Sequence, residues 1–300
     1  MIPSFDAAAT AAALPFGQLI PALRHAFTQP VAAPQRHVHA LHQGTLLLMP
    51  AWQTDLVGVK IVTVHPANAA RGIDAVHSTY LLSDAVTGEP KALIEGDTLT
   101  ARRTAAASAL AASFLAPLQA SRLLVVGAGR VASLLPLAHR TVRPITEVMV
   151  WNRGAARRNA LVAALAAQGF TARAVEDLAA AVPQADIISA ATVTATPLIQ
   201  GAWLRPGQHV DLVGAFRSDL READATAVAR AAVYADTPAA LHESGELAGL
   251  TENDLAGTLA TLCAGATVTR GPEGITLFKS VGSAIEDLAA ASLVAAPYRA

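Results

Sequence analysis

The segment that most restricts this chain is Leu123-Leu-Val-Val-Gly-Ala-Gly-Arg-Val-Ala132, a short apolar run, a G-x-G-x-x-A turn and the opening of a helix. Gly127 permits the tight turn, Gly129 lets a pyrophosphate approach the backbone, and Ala132 lets the helix lie close on the strand. The phosphates then meet N–H groups at the helix start. An ordinary strand-to-helix turn can carry the same letters, so the context decides. Here a strand precedes, a helix follows, and a second strand-like run, Glu147–Trp151, comes at the right remove. Gly127, Ala128, Gly129, Arg130 and Val131 are therefore expected to hold a dinucleotide. The second strand ends in Trp151-Asn152-Arg153, followed by Arg157 and Arg158, with no acid close by in sequence. NAD binders place an acid there for the ribose hydroxyls, whereas arginine suits a 2′-phosphate. Asn152, Arg153 and Arg157 join the candidate cofactor contacts, and NADP(H) is favoured with NAD(H) as the alternative. A solvated helix face competes as an explanation of these arginines.

From Ser121 onward strand-like and helix-like runs alternate: Leu123–Val126, helix 132–140, Glu147–Trp151, helix 155–168, Asp186–Ser189 and His209–Val213. Short buried runs separated by helices predict an α/β unit, a doubly wound parallel sheet. Before residue 120 the pattern differs. Runs in 37–64 and 73–94, broken at Gln43-Gly44, Pro66-Ala-Asn68, Ser83-Asp84 and Thr87-Gly-Glu-Pro90, predict antiparallel strands. A helix over 14–28 and another from Thr98 to Phe114, capped by Thr98 or Asp97, frame them. The tail from Lys279 to Ala296 reads as one more alanine-rich helix.

Totals exclude several classes. The chain is 53% hydrophobic with mean hydropathy +0.40, but much of that is alanine, which favours helix. No run reaches the roughly 18 uncharged apolar residues of a membrane span, and Met1–Asp6 lacks the basic start of a secretory signal. A single cysteine, Cys263, excludes an internal disulfide framework and fits a reducing cytoplasm. Net charge −1 and a pI near 6.8 leave no footprint for nucleic acid, so the expected partner is a small molecule. His37, His39 and His42 read as a solvated strand face and not a zinc site, since no carboxylate or cysteine joins them. Asp219 and Glu222 read as an N-cap and its capping-box partner, Cys263 as a core residue, and His242–Glu246 as a loop.

Cations are sparse outside the dinucleotide segment. Arg36 precedes the first long strand, Lys60 sits in the apolar run Val57–Thr63, and Arg102 and Arg103 open the alanine helix. A lysine in such a strand must snorkel or meet an anion; taken singly, each of these cations fits a surface role. Together with their neighbours they carry a resemblance. Met49-Pro-Ala51, Gly58-Val-Lys-Ile-Val-Thr-Val-His-Pro-Ala-Asn68, Leu99-Thr-Ala-Arg-Arg-Thr-Ala-Ala-Ala-Ser108, Val213-Gly-Ala-Phe216 and Phe278-Lys-Ser-Val-Gly282 resemble, in this order, the ornithine cyclodeaminase/mu-crystallin family. The likeness spans about residues 35–292 and includes the glycine loop.

The resemblance implies a Rossmann domain, residues 116–276, inserted into an α+β substrate-binding and dimerisation domain of residues 1–115 and 277–300. It implies a homodimer, and it implies that Arg36, Lys60 and Arg103 surround a substrate carboxylate, with Lys60 and Arg103 as the catalytic pair. It adds Thr192, Val281 and Gly282 to the cofactor set. The family includes ornithine cyclodeaminases, alanine dehydrogenases, reductases of cyclic ketimines and non-catalytic ligand binders. Two acidic positions of the deaminases fall at Leu47 and Phe216, which cannot shuttle a proton at an amine. The chain therefore resembles the reductase branch. Δ1-Pyrroline-2-carboxylate or Δ1-piperideine-2-carboxylate is the expected substrate, and Phe216 the apolar wall against its ring. Ornithine cyclodeamination, alanine dehydrogenation and NADP-dependent ligand binding without turnover are the alternatives.

Overall fold

The computed structural model describes residues 2–296. The chain divides into two compact units, Met1–Arg103 with Ser283–Ala300, and Thr104–Gly282. The division expected at 115/116 and 276/277 is displaced at both ends. The first boundary falls inside a continuous helix, and the second follows a strand that the sequence leaves unread.

The first unit is a six-stranded sheet of β1 (Ser4–Phe5), β2 (His37–Leu41), β3 (Gly44–Trp52), β4 (Leu56–Val64), β5 (Val76–Asp84) and β6 (Pro90–Glu95), in the order β1-β6-β5-β4-β3-β2. All neighbours are antiparallel except β1 and β6. The helix expected over 14–28 is α2 (Phe16–Ala26), which begins after Pro15, and a further helix that the sequence does not predict, α1 (Ala7–Ala13), capped by Asp6, precedes it. The alanines of α1 have no amphipathic rhythm to announce them, and only the Asp6 cap marks the start. Helix α3 (Gly96–Leu115) starts one to two residues before the expected cap.

The second unit holds an eight-stranded sheet, all parallel: β7 (Arg122–Val126), β8 (Glu147–Trp151), β9 (Thr171–Ala174), β10 (Ile187–Ala190), β11 (His209–Leu212), β12 (Ala232–Ala235), β13 (Gly257–Thr258) and β14 (Thr276–Lys279). Its helices are α4 (Arg130–Val142), α5 (Ala155–Ala167), α6 (Leu178–Ala181), α7 (Ala225–Arg230), α8 (Ala240–Glu243) and α9 (Leu259–Cys263). The order β13-β12-β14-β11-β10-β7-β8-β9 reverses direction between β7 and β10, the switch point where open parallel sheets take ligands. The core is the apolar contents of these strands, Leu124, Val126, Ile188, Val210, Leu212 and Leu277 among them. The doubly wound parallel sheet predicted from alternating runs is thus present.

Three local expectations are corrected. The sequence predicts a helix from Lys279, but β14 pairs with β11 and β12, and the last helix, α10 (Ala284–Ala295), starts only after its Ser283 cap. Asp219 and Glu222 cap no helix: Asp219 pairs with Arg217 on the surface, and Glu222 is buried. His242 and Glu243 lie in the short helix α8 and not in a loop.

The first unit's sheet has two distinct faces. Met49, Lys60, Tyr80 and Ile94 are cross-strand partners and share one face. Helix α10 packs on β3 through β6 and reaches Lys60 on that face through Asp287. The other face carries Leu48, Ile61 and Thr79 in one row and Pro50, Val59, Leu81 and Leu93 in the next. Ile61, Leu93 and Trp52 are 39%, 41% and 44% exposed there.

Candidate active site

In the first unit the fold gathers a buried group of charges. Lys60 on β4 and Arg103 on α3 are 2% and 4% exposed. Both meet α10. Lys60 Nζ lies 3.1 Å from Asp287 Oδ1 and 2.8 Å from Oδ2. Arg103 Nε donates to Asp287 Oδ1 at 2.8 Å, and its Nη1 donates to Glu286 Oε2 at 2.8 Å. Both acids are fully buried in the first turn of α10, where the helix dipole favours negative charge.

Burial pushes the Lys60 ammonium down to about 8, against the pull of Asp287; Arg103 and Arg36 add to the lowering. Of the three cations predicted for substrate, Lys60 and Arg103 share Asp287, and Arg36 acts on Lys60 only as the weakest of the charges that shift it. Burial also works against the Arg103 charge, but Asp287 and Glu286 outweigh it and raise that pKa. Asp287 is held below its ordinary value, since Arg103 and Lys60 overcome the effect of burial. Arg102 turns the other way, donating to the Leu14 carbonyl at 2.8 Å and stacking on Phe16.

Neither carboxylate is legible in the sequence as a site residue. In an alanine-rich tail Glu286 and Asp287 look like ordinary first-turn acids. Their one signal is that they interrupt a run apolar on every side, and such a helix is buried all round. Tyr80, the cross-strand partner of Lys60, was also missed. It is fully buried, and its hydroxyl has no hydrogen-bond partner among the described residues.

The second unit assembles its candidates at the carboxyl ends of β7, β8, β10, β11 and β14. Gly127 has φ 121°, in the left-handed region that favours glycine, and a Cβ there would come 2.8 Å from the Ala191 carbonyl oxygen and 3.3 Å from Thr192. The glycine loop and the Thr192 loop thus meet across the switch point. Space above Gly129 is open, and no side chain caps α4, so the helix start fits a pyrophosphate. Arg130 is exposed and Val131 half-buried beside it. Asn152 donates to the Gly154 carbonyl at 3.0 Å, shaping the turn after β8, and Arg153 and Arg157 are exposed. Arg158, which the sequence places among these cations, is instead buried and paired with Glu176 at 2.9 Å. Phe216 is half-buried in the loop after β11 and packs against the core.

Two buried acids hold these loops. Asp236 Oδ2, at the end of β12, accepts from Ser280 Oγ, Val281 N and Gly282 N at 2.9, 2.8 and 2.7 Å. Glu222 accepts from Thr192 N and Oγ1 at 2.6 and 2.8 Å, and from Gly214 N and Ala215 N at 2.7 and 3.2 Å. Burial raises Glu222 to about 7, opposed by Lys279. Lys279 lies between Glu222 and Glu246, 3.9 and 3.4 Å away, all within the buried interior. His37, His39 and His42 are exposed, and no group of three metal-ligating side chains occurs among the described residues. Cys263 is buried.

Comparison with known proteins gives this geometry a family. Residues 11–299 match the model of the ornithine cyclodeaminase/mu-crystallin family. The chain belongs to that family. Within it, the Δ1-pyrroline-2-carboxylate reductase of Colwellia psychrerythraea is 37% identical over 298 residues, covering 94% of each chain. The solved structure of Thermococcus litoralis Δ1-pyrroline-2-carboxylate reductase with NADH and L-proline superposes with TM-score 0.93 at 29% identity, covering 98% of this chain and 97% of that one. An archaeal alanine dehydrogenase dimer with bound NAD superposes with TM-score 0.92 at 25% identity, over 98% and 95%. Across the family's shared architecture, the Asp236 contacts make a specific expectation. Asp236→Ala strips acceptors from buried amides, at about 1–3 kcal/mol each. Urea unfolding is expected to show a stability loss of about 2–4 kcal/mol, and calorimetry a weakened affinity for the dinucleotide.

Proposed function

We propose that the chain is an NAD(P)H-dependent reductase of cyclic imino acids. It converts Δ1-pyrroline-2-carboxylate or Δ1-piperideine-2-carboxylate to L-proline or L-pipecolate by hydride transfer to C=N. One observation carries this reading. Among the described residues Arg103 has no acceptor for Nη2, and Lys60, paired there with Asp287 alone, keeps at least one N–H unused. Two anchored cations with donors to spare, and Arg36 beside them, form a receptor for a small carboxylate. Held from behind by Glu286 and Asp287, they need no reorganisation to bind it. A bound nicotinamide supplies the hydride, and the cations hold the substrate by its carboxylate so that the imine carbon is presented in one orientation. Phe216 is the apolar residue that the family resemblance assigns to the substrate ring.

Leu47 lies on the Lys60 face of the sheet, two residues before Met49, and Phe216 stands in the second deaminase position. Neither can move a proton, which favours reduction over cyclodeamination. The expected outcome is loss of NADPH absorbance at 340 nm (roughly, the reduced nicotinamide band) on adding either cyclic imino acid. Oxidation only with pyruvate plus ammonia, ammonia release from ornithine, or ligand binding without turnover would each replace this reading by the corresponding alternative.

NADP(H) is the proposed cofactor, because exposed Arg153 and Arg157 follow β8 where no acid stands to take a 2′-hydroxyl. Arg153→Ala is expected to raise KM for NADPH about tenfold, the loss of one charge-assisted hydrogen bond, with KM for NADH unchanged. We also propose a homodimer. The sheet face bearing Ile61, Leu93 and Trp52 is apolar and exposed, and a second copy of it is self-complementary about a twofold axis. Light scattering is expected to give twice the 30.8 kDa chain mass and to show a folded monomer for Ile61→Asp.

A further inference from the structure

Four donors from two loops meet a single carboxylate at the switch point. Thr192 N and Oγ1 give to Glu222 Oε1, and Gly214 N and Ala215 N give to Oε2. We propose that Glu222 couples dinucleotide binding to the loss of a proton. Ionised, it holds the Thr192 loop and the 214–215 loop against the glycine loop; protonated, it lets an amide of one of them go, and affinity for the dinucleotide falls. A carboxylate that served only as a brace would stay charged through the neutral range. The surroundings of this one oppose its charge.

Those surroundings are short of positive charge. Among the described residues, the cation paired with Glu222 is Lys279 on β14, 3.9 Å away. It is shared with Glu246, which follows α8 and lies 3.4 Å from it, and Nζ makes no hydrogen bond to either acid. Asp236, at the end of β12, is occupied by the donors of residues 280–282. On the segment that carries Glu222, Arg217 and Asp219 pair with each other at the surface. Two buried acids against one lysine leave a negative charge uncompensated, and taking up a proton relieves it. Glu246 keeps 8% exposure and Glu222 none, so burial falls harder on Glu222. It raises that group to about 7, against the pull of Lys279 and of the donors from Thr192 and Gly214.

Protonation forfeits a hydrogen bond. It turns one acceptor oxygen into a donor, and both oxygens here face donors. A proton on Oε2 meets two amides. A proton on Oε1 meets the Thr192 amide beside the Thr192 hydroxyl, the one group of the four able to turn and accept. The loss is then transmitted, because the loops have no slack between them. A Cβ on Gly214 would collide with the Thr192 backbone, and one on Gly127 would come 2.8 Å from the Ala191 carbonyl oxygen. Movement at Thr192 therefore reaches the backbone that precedes α4, where a pyrophosphate is taken.

The test reads the loops and the affinity separately, and neither depends on the substrate. In the free protein, the amide proton shifts of Thr192, Gly214 and Ala215 are expected to titrate together near 7, and to be flat there in Glu222→Gln. Calorimetry with NAD+, which has no 2′-phosphate to titrate, is expected to show full affinity above that value. As pH falls from about 8.5 to about 6, Kd rises about five- to tenfold. Glu222→Gln binds weakly throughout, without the slope. Two neighbours move the inflection in opposite directions. Lys279→Met removes a charge that lowers Glu222, so the inflection goes to higher pH. Glu246→Gln keeps the oxygen that accepts from Glu222 N and leaves Lys279 to Glu222 alone, so it goes to lower pH. A flat or reversed pH dependence of Kd in the wild type overturns the proposal, as does a slope retained in Glu222→Gln or an inflection that both neighbour variants leave in place. Should Glu222→Gln fail to fold, the wild-type titration and the neighbour variants decide.

Discussion

The first unit is organised around one buried exchange of charge, the contact of Lys60 and Arg103 with Asp287 and Glu286. It ties β4, the first half of α3 and the start of α10, the last from the far end of the chain. Such a cluster is a poor device for stability alone, since well-packed apolar side chains often do as well or better, while loss of a single member costs about 3–5 kcal/mol. What four charges provide and four leucines do not is a field. The carboxylates anchor both cations from α10, so each charge is held in one geometry by its partner. Under the proposed function, charges fixed in this way have little reorganisation to undergo when an anion binds.

The second unit solves a different problem with the same material. Parallel strands end in loops, and loops ordinarily wander; here buried acids hold them. Asp236 gathers three donors from residues 280–282, and Glu222 gathers the Thr192 loop and the 214–215 loop at once. Glycine at 127 then lets the first loop come within reach of the Ala191 carbonyl. The result is a set of strand ends at the switch point whose backbone is held by buried acids. Lys279, buried between Glu222 and Glu246, offsets part of the negative charge that this arrangement accumulates.

Legibility in the sequence followed the range of the interaction concerned. The glycine loop, β7, β8 and α5 were readable because their signals lie within ten or twenty residues of one another. The cations were readable as candidates, and their convergence came from resemblance. Glu286 and Asp287 were not, because 183 and 184 residues separate them from Arg103 and nothing in the tail states what α10 will cover. Glu222 was misread for the related reason that an acid three residues after an aspartate looks like a cap. In fact the segment forms no helix, and the glutamate serves amides from two other loops. Arg158 reads in sequence like its neighbour Arg157, because the acid that takes it, Glu176, comes from the far side of β9.

By itself the sequence determined the period of most elements, though not of α1 or β14, the place where a backbone must approach a phosphate, and which residues could carry charge. These are local matters, governed by sterics and by the spacing of apolar side chains. Tertiary structure alone decided which charges meet. A buried ion is tolerated only where its partner arrives, and that partner is chosen by packing between segments distant along the chain. The same lysine that reads as a surface residue in its own strand became, under α10, one half of a buried pair with a pKa near 8.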